Sequence, residues 1–347
     1  MSRLCVAVAL GVSLAATASA DTIRVPTDVS TIRSAVHQAS EGDTVVVEPG
    51  LYRDRITIVG KNIVLRGEPG MAASTILDGS LEAGNVITLQ FVSRNMIVEG
   101  LTVTGGRIAS PDSLGTAIYV NEGDPTIRRC ILAGNDANSG GGLAAYFFSR
   151  PLIEDCWVAY NEGGGIFIET GDGFETGPTA EIINTFVVRN TGYGINIIKG
   201  VRARISNSTI AFNSTDGIRT EHTSGAGASM TRLAINRCLI TNNGGGGIRR
   251  RDNLVCFTLG CNDVWGNDSG NWLGIFAGDP CFTGRGQGSV SLEPGYSNIG
   301  ADDFTLADDS VLFDLCAQGG CGALGADNEC TTAVERSSWG AVKGLYR

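Results

Sequence analysis

The stretch Ile182-Ile183-Asn184-Thr185-Phe186-Val187-Val188-Arg189-Asn190-Thr191-Gly192-Tyr193-Gly194-Ile195-Asn196-Ile197-Ile198 decides the fold. Short β-branched runs alternate at the two-residue period of a strand, and polar or glycine-rich corners separate them. The spacing recurs along the chain. It reads Ile127-x-x-Cys130-x-Leu132-x-x-Asn135, then Ile153-x-x-Cys156-x-Val158-x-x-Asn161, and the quoted Ile182-x-x-Thr185-x-Val187-x-x-Asn190. It continues as Ile205-x-x-Ser208-x-Ile210-x-x-Asn213 and Ile235-x-x-Cys238-x-Ile240-x-x-Asn243, with a degenerate copy ending at Asn267. Successive asparagines lie 26, 29, 23, 30 and 24 residues apart. Gly165-Ile166, Gly194-Ile195, Gly217-Ile218 and Gly247-Ile248 follow four of them at one fixed offset. The first repeat carries an insertion and uses Gly142-Leu143.

No helical pattern of ten or more residues lies between the runs, so alternating βαβ units are excluded. Leucine-rich and propeller signatures are absent. What remains is a solenoid of short parallel strands, in which one small residue and one asparagine per coil stack into ladders. A buried Asn amide bonds its own turn and its ladder neighbours. The glycines before each Ile are expected to supply positive φ at tight corners.

This repeat resembles that of the right-handed parallel β-helix proteins of the pectin-lyase-like superfamily. The opening is similar too: Thr22-Ile-Arg-Val-Pro-Thr-Asp-Val-Ser-Thr-Ile-Arg-Ser-Ala-Val36, then Gly42-Asp-Thr-Val-Val-Val-Glu-Pro-Gly-Leu-Tyr52. The resemblance implies a strand, a capping helix and the first coil. Locally, Ser30 is placed to N-cap a helix with Ile32, Ala35, Val36 and Ala39 on one face. The expected fold is all-β: a right-handed parallel β-helix with an N-terminal capping helix and a disulfide-tied C-terminal cap. Residues 1–20 read as a signal peptide, 21–268 as the capped β-helix, 269–330 as a Cys-rich partial coil and cap, and 331–347 as a tail. About nine coils at about 4.8 Å each make a cylinder of roughly 45 Å. The superfamily holds lyases, hydrolases, esterases, epimerases and non-enzymes, so it specifies architecture more than activity.

Composition narrows the class. Of 347 residues 49 are glycine, about twice the usual share, and the corners of a solenoid absorb many of them. The net charge is −10 and the pI about 4.8, so no broad basic surface is expected for nucleic acid. Arg3, the apolar run Leu4 to Ala16 and Ala18-Ser19-Ala20 form the parts of a leader cleaved after Ala20. No transmembrane helix is expected, and export places the mature protein outside the cell or at its surface. In that oxidising setting Cys256, Cys261, Cys281, Cys316, Cys321 and Cys330 are disulfide candidates, with 15 possible connectivities. Cys130 and Cys156 fall in one inward slot on adjacent coils and read as a stack of buried thiols. The tail Ser337 to Arg347 resembles sorting tags of exported bacterial proteins, which would make export machinery a partner.

Catalytic motifs of the known β-helix enzymes are missing. The Asn-Thr-Asp, Gly-His-Gly and Arg-Ile-Lys elements of polygalacturonase-like hydrolases do not occur in order. The Arg-x-Pro-x-x-Arg setting of pectate-lyase-like enzymes and the Asp-Pro-His-Glu of alginate epimerases are absent. No metal site or cofactor is expected; Gly171-Asp172-Gly173-Phe174-Glu175 offers calcium only two carboxylates. Asn213 and Asn267 fit the glycosylation pattern but belong to the buried ladder, whereas Asn207 does not.

One constellation stands out. If each Ile after the corner glycine points inward, the next and third-next residues point outward. Up the cylinder these read Ala144 and Tyr146, Phe167 and Glu169, Asn196 and Ile198, Arg219 and Glu221, Arg249 and Arg251, with Thr170, Lys199, His222 and Asp252 following. Insertions at 105–115, 171–179 and 222–231 would wall this face. Aromatics stack on sugar rings, carboxylates bond hydroxyls and arginines bond acidic sugars. Tyr146, Phe167, Asn196, Lys199, Arg249 and Arg251 are therefore candidates for binding extracellular polysaccharide. Glu169 and Glu221, about 10 Å apart by strand spacing, approach an inverting hydrolase pair. A lyase would instead neutralise a uronate with Arg219 or Arg249 and use His222 or Lys199 as base. Against both stands a plain solvated β-face, since charged residues are the default cover of a strand.

Overall fold

The computed structural model describes residues 20–108, 116–169, 179–221, 230–251, 255–274, 286–312, 321 and 324–326. The leader up to residue 19, the 171–175 loop, His222, Asp252, Cys281, Cys316, Cys330 and the tail lie outside them.

Strand runs of three to six residues become three parallel sheets of ten, nine and nine strands. Each coil contributes one strand to each sheet in turn, for example Leu152–Glu154, Trp157–Ala159 and Ile166–Glu169. The chain then returns to the first sheet at Ala180–Ile183, and every coil pairs in register with the next. The interior is a continuous column of Ile, Val and Leu from Val25 to Val264.

Two corners per coil hold the stack in step. Between the second and third sheets the expected asparagine ladder forms. The side-chain amides of Asn135, Asn161, Asn190, Asn213 and Asn243 each donate to the carbonyl oxygen of the next, at 2.9, 3.0, 3.0, 3.0 and 2.9 Å. Asn267 donates in turn to Asn271 at 3.0 Å. Each amide also donates to a main-chain carbonyl of the coil before, as Asn190 does to Val158 at 3.0 Å. The glycines after the ladder differ from expectation. Gly165, Gly194, Gly217 and Gly247 do not have positive φ. They are required because a Cβ would lie 2.7–3.0 Å from the ladder amide of the following coil, Asn190, Asn213, Asn243 and Asn267 respectively. The left-handed corner falls instead on the residue before each asparagine, at Tyr160, Arg189, Phe212 and Asn242.

The other corner carries the small residues. Cys156 N–H donates to Thr185 Oγ1, Thr185 N–H to Ser208 Oγ, and Cys238 N–H to Asn262 Oδ1. Cys130, Cys156 and Cys238 are buried free thiols. Burial pushes those of Cys130 and Cys238 up to about 12, so they are unreactive.

Both ends are closed. The helix Ile32–Gln38 turns Ile32, Ala35 and Val36 into the core. Its N-cap is Thr31, not Ser30: the Thr31 hydroxyl accepts from Ser34 N–H at 3.1 Å. At the far end Gln287 and Val290 bridge in parallel to Gly260 and Asp263 and begin one more coil. The Cys261–Cys321 disulfide ties this end, and Cys256 is also disulfide-bonded.

The C-terminal segment then does more than cap. An antiparallel hairpin of Tyr296–Asn298 and Asp303–Leu306 runs back over the outer face of the second sheet. Phe304 packs against Trp157 and Phe212, with ring centroids 5.9 and 5.5 Å apart. Asp302 accepts from Tyr160 at 2.5 Å and pairs with Arg189 at 2.7 Å. This cover explains why the outward residues Ile131, Trp157, Phe186 and Leu239 are apolar.

Two outcomes are expected. Asn190→Ala removes the acceptor of two donors on Asn161. Leaving buried donors unmet costs about 1–3 kcal/mol each, so thermal unfolding should show a clear loss of stability. Asp263 is fully buried beneath the C-terminal segment, and burial raises its carboxyl from 3.8 to about 7. The unfolded chain ionises first, so stability is greatest below pH 4 on this account and falls as pH rises to 7. Asp263→Asn should abolish that slope and raise the melting temperature at pH 8.

Candidate functional site

The outer face of the third sheet carries the predicted columns, and the strand register sets them. One column runs Thr57, Thr88, Tyr119, Ala144, Phe167, Asn196, Arg219, Arg249. The other holds Val59, Gln90, Asn121 and Tyr146 in its lower half and Glu169, Ile198 and Glu221 above. Inward-facing Ile118, Leu143, Ile166, Ile195, Ile218 and Ile248 anchor these strands in the core and so fix which residues face out.

The lower half is aromatic. Tyr146 lies 5.8 Å from Tyr119, 4.9 Å from Phe167 and 6.4 Å from Phe147 by ring centroid. Tyr193, from the corner beside the next coil, packs on Ala144 and Phe167. Phe167 is consequently only 5% exposed and Asn196 only 6%. They form the floor of the face, and Tyr119, Tyr146 and Phe147 are the rings nearer solvent. Burial pushes the Tyr146 hydroxyl up, with Tyr193 and Glu169 adding to it, so it stays protonated.

The upper half is a set of opposed charges. Lys199 Nζ donates to Glu169 Oε1. Arg219 donates to Glu221 at 2.7 Å and Arg251 to the same oxygen at 3.2 Å. Arg249 Nε donates to both oxygens of Asp216 at 2.8 and 2.7 Å, and Asp216 also accepts from Gly246 N–H. The Arg219 hydrogen bond, helped by Arg251, holds the Glu221 carboxyl below its ordinary range despite some burial. A carboxylate held ionised suits binding and electrostatics better than proton donation.

The structure thus brings Tyr146, Phe167, Glu169, Asn196, Lys199, Arg219, Glu221, Arg249 and Arg251 onto one face. His222 lies outside the described residues. Sequence reading missed Tyr119, Asn121, Phe147, Tyr193 and Asp216. The signal for the first two was present: Ala117-Ile118 is the small-Ile pair of an earlier coil, before the asparagines begin. Among the described residues no group of three His, Cys, Asp or Glu is placed to hold a metal, and no helix is long and apolar enough to cross a membrane.

Residues 71–225 and 116–273 match the family model described as "Right handed beta helix region". The chain belongs to that family, and its fold is a right-handed parallel β-helix. No curated protein matches it in sequence. Solved structures with a similar course include Erwinia chrysanthemi pectin methylesterase PemA, at 13% identity over 77% of this chain and 92% of that one, TM-score 0.41. Carrot pectin methylesterase is 14% identical over 80% of this chain and 91% of that one, TM-score 0.46. The A-module of Azotobacter vinelandii mannuronan C-5 epimerase AlgE4 is 17% identical over 68% and 71%, TM-score 0.39. Likenesses this distant carry no residue correspondences.

Phe147 is 57% exposed and holds φ at 46°, a left-handed conformation that bulky residues avoid. Such strain costs on the order of 1 kcal/mol. Phe147→Asn, which tolerates this conformation, should raise the melting temperature by roughly 2 °C while removing the ring.

Proposed function

We propose that the protein binds acidic polysaccharide along the outer face of its third sheet and works as a glycan-binding β-helix. The observation that supports this most directly is the continuity of the face. Rings at Tyr119, Tyr146 and Phe147 lead, coil by coil, into the pairs of Glu169 with Lys199, Glu221 with Arg219 and Arg251, and Asp216 with Arg249. Rings give a sugar its apolar platform, and mixed charges bond hydroxyls and uronates.

Hydrolysis fits the site less well. A general acid needs a carboxyl that keeps its proton, and Glu221 is shifted the opposite way. A lyase reading meets a similar obstacle, because Lys199 and Arg219 are already engaged by carboxylates. Export agrees with the leader-like first twenty residues and with a disulfide in the C-terminal segment.

A panel of acidic and neutral polysaccharides, scored for retention and for new unsaturated or reducing ends, tests the reading. Retention of an acidic glycan without product is expected. Tyr146→Ala and Arg219→Ala should each weaken it about tenfold or more, and Arg219→Ala should lower its salt dependence. Unchanged retention in both variants would reject the site, and product formation would move the protein to the enzymes.

A further inference from the structure

The columns of the third sheet do not end at Tyr119. They run on through Thr88 and Gln90 to Thr57 and Val59, the outward residues of the first strand of that sheet. There the capping helix overhangs the sheet and leaves a cleft of about 430 Å³ lined by Arg33, Val36, His37, Arg55, Ile56, Thr57, Val59 and Lys61. In a chain of net charge −10, every ionisable group lining this cleft is basic.

The four groups reach it from separate places. Arg33 and His37 are four residues apart on the helix and so share a face. Arg55 precedes the strand Ile56–Val59 and Lys61 follows it. Among the described residues none of the four forms an ion pair with a carboxylate. The partners of Arg33, Arg55 and Lys61 are main-chain carbonyls. Lys61 Nζ donates to Val36 and Ala39 at the end of the helix, both at 2.6 Å. Arg33 Nε donates to the Arg55 carbonyl at 3.3 Å, and the Arg55 guanidinium donates to the carbonyls of Gly79, Glu82 and Asn85. Carbonyls orient these groups without cancelling their charge. Arg55 Nε is buried and has no partner at all. The carboxylates around them are not paired with them: Asp54 accepts from the Ile32 N–H, the Glu82 carboxylate acts on Arg55 through its field, and Asp43, which accepts from Asp21 and Ser40 N–H, acts likewise on Lys61.

We infer that this cleft is an anion subsite that takes a sugar ring bearing a carboxylate or a sulfate. The volume lies within the range of small-molecule pockets and far exceeds what a bare inorganic ion fills. Val59, half exposed at the cleft, supplies an apolar surface for a ring, and Arg33, Arg55 and Lys61 with the His37 ring receive its charged substituent. Because Thr57 and Val59 head the same columns as Tyr119 and Tyr146, a chain bound on the sheet reaches the cleft by continuing straight along it. The class of ligand rests on the glycan reading of that face, while the cleft is probed separately.

The chain has two histidines, so the His37 ring is an assignable reporter, with His37→Gln fixing the assignment. Proton NMR of the full chain is followed while oligogalacturonate, dextran sulfate, a neutral cello-oligosaccharide or inorganic phosphate is added. A saturable shift of the His37 signals is expected with at least one of the two acidic glycans. The cello-oligosaccharide should give none, and phosphate none at the same concentration. The preferred acidic glycan names the substituent, carboxylate or sulfate. Arg33→Ala, an exposed change that leaves the helix core intact, should weaken the saturating titration about tenfold or more. Phosphate saturating as tightly as the glycans would overturn the sugar-borne assignment. Silent His37 signals while Tyr146→Ala still abolishes retention would overturn the cleft and leave the sheet face standing. Silent signals with no retention at all would remove both.

Discussion

An asparagine amide with both hands occupied is the interaction on which the rest of the molecule depends. Each ladder side chain accepts from the coil before it and donates to the coil after it, at separations that barely vary. The glycine four residues later is the complement of that bond, since any side chain there would strike the next amide. Together they leave one way to stack a coil on its neighbour. The strand register follows, and from the register follows which residues stand side by side on the outside.

That chain of dependence explains what could be read in advance. The ladder spacing was visible from Asn135 to Asn267, and the inward Ile after each glycine fixed the outward columns containing Tyr146, Glu169, Arg219 and Arg249. The glycines were found for the wrong reason: backbone twist was expected, and close approach is what demands them. Three coils lie before the first asparagine and gave weaker signals, so Tyr119 and Asn121 went unread. The hairpin over the second sheet was invisible because its partners are distant in sequence. Even so, Ile131, Trp157 and Phe186 left a trace, as apolar residues at positions that would otherwise meet water.

The three faces of the cylinder have been put to different uses. The second is dry, covered by Phe304, Tyr296 and the ion pair of Asp302 with Arg189. The first is laced with charge pairs such as Arg128 with Glu99, which keep an open face polar. Among the described residues the third combines solvent-facing rings with charge pairs, and it runs into the basic cleft under the helix.

The sequence distance between successive ladder residues varies from 23 to 30, yet the bond joining them does not change. Extra residues are expelled into loops, and the rise from coil to coil stays at the strand spacing. The outer face is therefore a ruler whose graduations are independent of the walls built around it. Lengthening a loop would alter what can enter the groove without disturbing the interval at which the groove presents its charges. A linear polymer with its own regular repeat is the kind of ligand such a ruler can measure.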